Sequence, residues 1–257
     1  MMTFGSIFRI SASATMLVLA GCMSVADMAG YDSGTMNEQA AKNYSQLVQQ
    51  ARSRQVLDTT SATSARVHRV FERLVPVADR VNRTGTPFRW QMSVIRSNEL
   101  NAWAMPGGKM AVYTGMVERL NLTDDEIAAI VGHEMSHALL EHSRRALGGQ
   151  VLAGIGGALL AEQTGLDSNL IGLGTDLAAN KPFSRHQENE ADALGVRLMA
   201  RAGYNPQAAI NVWNKLNAAG STNGITILST HPANESRIRA IRAMLSELMQ
   251  VYRQNRR

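Results

Sequence analysis

"DDEIAAIVGHEMSHALLEH", residues 124–142, sets two histidines four positions apart, with a glutamate directly after the first. Thr123 and Glu126 have the spacing of a capping box, and Leu122 and Ile127 occupy the two staple positions, so a helix is expected to start at Asp124. On that helix His133 and His137 share one face, one turn apart. Two imidazoles so placed can grip one zinc ion, while Glu134, beside them but off their line, can act on a water instead. The same His-Glu-x-x-His spacing also arises by chance, with both histidines satisfied in a core. A third ligand decides between the two.

One arrangement would add a glycine three residues after His137 and a histidine three further on. Leu140 and Ser143 stand there instead, and His142 is one place off, suited to the surface or to a supporting contact. "FSRHQENEADALG", residues 183–195, offers a distant glutamate. Ser184 and Gln187 make a second capping box, which puts Glu188 and Asp192 on one helical face. Glu188 can complete a two-His, one-Glu site that leaves a fourth position open. Asp192 can accept the other ring N–H of a ligand histidine. Glu190 points off this face and is expected to be a solvated charge.

Together with "STHPANESRI", residues 229–238, these motifs resemble the gluzincin metalloproteases grouped with HtpX, Oma and the CAAX prenyl protease. Within that group the likeness is nearest to the periplasmic lipoprotein peptidases of LoiP and BepA type. It extends over roughly residues 60–250. A C-terminal repeat domain of the BepA type is not expected at this length, which favours the LoiP type. The resemblance implies a zincin-type domain with one Zn2+ per chain, ligands His133, His137 and Glu188, catalytic Glu134, and Asp192 in support. It also implies that the "NAWAMPGGKMAVYTG" region lends an edge strand to the cleft.

The chemistry expected of such a site is hydrolysis of peptide bonds, with Glu134 as the proton carrier. His231 is a candidate oxyanion donor, or an extra metal contact in a resting state, and Arg237 could pair with a nearby carboxylate. An extended peptide could add to the sheet edge. The expected role is degradation of misfolded envelope proteins, with outer-membrane assembly proteins as possible partners. The alternative is an assembly factor or chaperone whose metal site is regulatory; Glu134 argues against it, since a structural zinc site needs no general base.

The rest of the chain fits an α+β, mainly helical protein. Helices are expected over 37–55 and 62–83, the second burying Val67, Val70, Phe71, Leu74 and Val77 or Ala78. Phe88, Trp90, Met92 and Val94 alternate with polar residues as in a half-buried strand, and "NAWAM" and "KMAVYT" add two strands around the turn 106–108. This small sheet of about three strands lies beside the active-site helix, and all that follows Thr114 is expected to be helical. The catalytic domain is placed at 61–253, after an N-terminal helical segment at 37–60.

Residues 1–21 have the build of an export signal, and "LAGC" resembles a lipobox, so Cys22 is expected to be lipidated and to anchor the protein in the cell envelope. Met23 after that cysteine suggests the outer membrane, and 22–36 is expected to be a flexible spacer. The single cysteine excludes an intrachain disulfide. A net charge of +5 with scattered Lys and Arg offers no nucleic-acid surface, and Arg253, Arg256 and Arg257 are expected to be a solvated helix end. The Gly/Ala-rich stretch 148–174 suits a tightly packed helical hairpin or a lid.

Overall fold

The computed structural model describes residues 26–148, 182–219, 227–232 and 235–256. The expected signal segment, Cys22 and the apolar run Val151–Ala161 lie outside them. Helix α1 (Ser33–Ser53) opens on Asp32, whose carboxylate accepts the Thr35 N–H. Ordered helix therefore begins inside the stretch expected to be a flexible spacer. One capping aspartate among Ser, Gly and Met outweighs a linker-like composition. Helix α2 (Ala62–Val81) is capped by Ser61 and buries Val67, Val70, Phe71, Leu74, Val77 and Ala78.

Strands β1 (Gln91–Ile95), β2 (Ala102–Met105) and β3 (Lys109–Tyr113) form one sheet in the order β1-β3-β2. β1 runs parallel to β3 and β2 antiparallel to it. The turn Pro106–Gly108 between β2 and β3 needs positive φ at Gly107 (72°) and Gly108 (76°), a region open to glycine without strain. The alternation from Phe88 overshoots at its start. β1 begins at Gln91, and Met92 through Ile95 are all buried because helices cover both faces. Ser93 tolerates this burial through a 2.6 Å hydrogen bond with the Tyr44 hydroxyl of α1.

Every regular element described after β3 is a helix: α3 (Thr114–Glu118), α4 (Asp124–Leu139), a short run 142–148, α5 (Arg185–Arg201), α6 (Gln207–Ala219), α7 (Ile227–Thr230) and α8 (Glu235–Asn255). Both expected capping boxes form, at Thr123/Glu126 and Ser184/Gln187. α4 is the axle of the fold, enclosed by α2, α5, α6 and β2, with every residue from Glu126 to Leu139 buried. Gly132 on α4 meets Gly195 on α5 backbone to backbone. A Cβ at Gly195 would lie 2.9 Å from the His133 nitrogen and 3.0 Å from the Gly132 carbonyl carbon. This contact sets the two motif helices side by side. No described helix is long and apolar enough to cross a membrane.

Candidate metal centre

α4 contributes His133, Glu134 and His137, α5 contributes Glu188 and Asp192, and the short loop after α7 contributes His231. Ligand atoms of His133, His137, Glu188 and His231 all lie within 4.8 Å of one another, and all four residues are buried. His137 Nε2 is 3.1 Å from His133 Nε2, and His231 Nδ1 is 2.9 Å from Glu188 Oε1 and 3.3 Å from His133 Nε2. Glu188 Oε2 stands 3.5 Å from His133 Nε2. The Glu134 carboxylate takes a hydrogen bond from the Ala104 backbone on β2. Its Oε1 faces His231 Nε2 at 3.5 Å and receives no hydrogen bond among the described residues. A cavity of about 20 Å³, room for one water, is lined by His133, Glu134, Asp192 and Trp213.

The surroundings hold these groups in place. His133 Nδ1 stands 3.0 Å from Asp192 Oδ1, where a carboxylate can fix the ring's tautomer. Arg237, only 1% exposed, clamps Asp192 through Nε (2.6 Å) and Nη2 (2.7 Å) and reaches Glu188 Oε2 with Nη1 (2.6 Å). Its guanidinium lies 3.8 Å above the Trp213 ring. Phe183 stacks on His137 with ring centroids 4.1 Å apart.

The electrostatics follow from burial set against these partners. Burial, reinforced by His133, His231 and His142, holds the His137 imidazole well below its usual range, so it is neutral, the form that ligates a metal. Burial also raises Glu134, and its histidine neighbours do not offset this. Burial alone would lift Glu188 and Asp192. Hydrogen bonds and charges from His231, His133 and Arg237 outweigh it for Glu188, as those from Arg237 and His133 do for Asp192, and both stay below the ordinary carboxylate range. Burial would lower His231, but Glu134 and Glu188 raise it overall.

These residues suit a divalent cation. Two histidine nitrogens point at each other across 3.1 Å, beside the buried Glu134 Oε1, which receives no hydrogen bond among the described residues. Three buried carboxylates, Glu134, Glu188 and Asp192, face one buried arginine, Arg237. Two positive charges at the centre would balance them, and a set of imidazole nitrogens and one carboxylate matches zinc chemistry.

One supporting residue differs from expectation. Glu190 is not a solvated charge: its side chain is 28% exposed and sits 3.3 Å from His142 Nε2 and 3.0 Å from Arg145 Nη1. Its hydrogen bond from His142, helped by Arg145, lowers its pKa against the effect of burial. The helix face assigned to Glu190 was right, but α5 packs there on residues 142–145 rather than on solvent. His142 takes the supporting of its two expected places, fully buried with Nδ1 2.8 Å from His137 Nδ1. Phe183 and Trp213 carried no periodic signal that would tie them to the site.

A family model for "Peptidase family M48" matches residues 61–245, most of the chain. The chain belongs to peptidase family M48. Among its relatives is the mitochondrial metalloendopeptidase OMA1 of Schizosaccharomyces pombe, 31% identical over 194 residues, covering 75% of this chain and 56% of that protein. Escherichia coli (strain K12) supplies metalloprotease LoiP, 29% identical over 75% of this chain and 77% of the relative. It also supplies the beta-barrel assembly-enhancing protease, 29% identical over 63% of this chain and 35% of the relative. This M48 chain thus spans little more than half of the mitochondrial relative.

Proposed function

We propose that the protein is a zinc-dependent endopeptidase of the bacterial cell envelope, with His133, His137 and Glu188 holding one metal ion and Glu134 as catalytic base. The observation that carries this reading is the free Oε1 of a buried glutamate aimed at the rim of a four-residue ligand cluster. A bound zinc ion supplies Lewis-acid activation of water and of the scissile carbonyl. Glu134 takes the proton of the attacking water and delivers it to the leaving amine. Asp192 and Arg237 keep the His133 ring and the Glu188 carboxylate in position. β2 is an edge strand beside α4, and an extended substrate can pair with it through main-chain hydrogen bonds.

His231 sits inside the ligand cluster, which supports a resting-state contact that substrate must displace, in preference to an oxyanion donor. Lipidation at Cys22 and an outer-membrane position facing the periplasm complete the proposal. Misfolded envelope proteins are the proposed substrates. The likeness to the beta-barrel assembly-enhancing protease supports outer-membrane assembly proteins as partners.

The test is Glu134→Gln. This variant should bind zinc as the wild type does and lose casein hydrolysis, because it removes the base and no ligand. Undiminished turnover would refute the mechanism.

A further inference from the structure

We propose that His142 is a positioning residue of the metal centre: its ring accepts the outward N–H of His137 and passes its own N–H to Glu190, fixing which His137 nitrogen faces the metal. The inference rests on the reading above that His137 is a ligand.

The geometry begins with a break in the helix. Five residues along a continuous helix would carry His142 about 140° around the axis from His137, out of reach. α4 instead ends at Leu139, and Glu141 adopts a left-handed backbone with φ 51°. Ser33 and Arg144 each hydrogen-bond the Glu141 carboxylate and hold the reversal. The turn brings His142 back beneath His137, with ring centroids 4.8 Å apart and Nδ1 facing Nδ1 at 2.8 Å. Gln187 Nε2 donates to the His142 carbonyl and ties the turn to α5.

The placement of protons then follows. His137 turns Nε2 toward the cluster, 3.1 Å from His133 Nε2 and 3.5 Å from Glu188 Oε1. A nitrogen facing a cation must offer a lone pair, so the single proton of the neutral ring sits on Nδ1. His142 Nδ1 must accept it, because an N–H on both sides of a 2.8 Å gap is repulsive. His142 is therefore protonated at Nε2, which points at Glu190 Oε2 3.3 Å away. Arg145 Nη1, 3.0 Å from the same oxygen, anchors the end of the chain. Each ligand histidine thus has its own orienting group: Asp192 for His133, and the His142–Glu190–Arg145 chain for His137. Partners of this kind typically matter by about 10–100-fold in metal affinity.

The experiment measures zinc affinity of the full chain by competition with a chromogenic chelator, alongside 15N NMR of its histidine rings. His142→Phe should weaken zinc binding about 10–100-fold. His142→Gln, whose amide oxygen can accept the same N–H, should recover most of that loss. A folded His142→Phe protein with wild-type affinity would overturn the proposal, and so would a Gln variant no better than Phe. The wild-type spectra of the zinc-loaded protein supply a readout independent of any variant's folding: His137 should carry its proton on Nδ1 and His142 on Nε2. A His142 proton on Nδ1 would refute the chain outright. Failure of the wild type to bind zinc would instead strike the functional reading on which the inference rests.

Discussion

Replacing Arg237 with methionine keeps an apolar stem of the side chain but deletes the guanidinium, and with it the contact on the Trp213 ring. Two carboxylates, Asp192 and Glu188, 5% and 1% exposed, then lose two hydrogen bonds of 2.6 and 2.7 Å, an ion-pair contact of 2.6 Å and the one buried arginine that faces them among the described residues. Removing one partner of a buried pair costs about 3–5 kcal/mol. Here two like charges are orphaned together, so the upper half of that range is expected. For a domain of this size a loss of about 4–5 kcal/mol corresponds to a fall in Tm of about 8–20 °C. Chelator-treated protein should show it fully in thermal or urea unfolding. Zinc-loaded protein should show less, because the ion takes over part of the charge of Glu188. Asp192→Asn in the Arg237→Met background should cost less than in the wild type, since the neutral amide no longer needs the guanidinium. A loss below about 1 kcal/mol, no more than an average point substitution costs, or strict additivity of the two substitutions would refute the reasoning.

Glu188→Ala should strip zinc from the protein, whereas Glu190→Ala should only weaken binding; metal analysis after dialysis reads both, and equal losses would mean the wrong carboxylate has been assigned. If His231 is the resting-state contact, His231→Ala should raise peptidase activity with zinc content intact. A joint fall in kcat and kcat/KM of about 10²–10³-fold would mark it as the oxyanion donor instead. Cys22→Ala should release the protein from membranes without changing its catalytic rate, as fractionation and a casein assay would show; continued membrane association would argue against lipidation as the anchor.

Capping chemistry made both motif helices legible, because Thr123/Glu126 and Ser184/Gln187 are local rules that tertiary packing leaves alone. Four-residue spacing likewise put His133 with His137 and Glu188 with Asp192. Meeting of the pairs depended on a contact between Gly132 and Gly195 that no local pattern announces. Periodicity misled at β1, where alternation implies one wet face and Tyr44 in fact covers Ser93. It misled again at Glu190, placed on the correct side of α5 but facing protein. The left-handed turn at Glu141 was invisible because glycine, the residue that signals such turns, is absent there.

The Gly132–Gly195 contact divides the labour within the centre. Two helices whose main chains already touch cannot be squeezed closer, and parting them would empty the middle of the core. Three of the four clustered side chains therefore ride on a single stiff frame. His231 alone arrives on a short loop behind a four-residue helix. Adaptation of this centre to a bulkier substrate or a different ion would be expected to run through that loop, with the paired helices kept as an unchanging gauge.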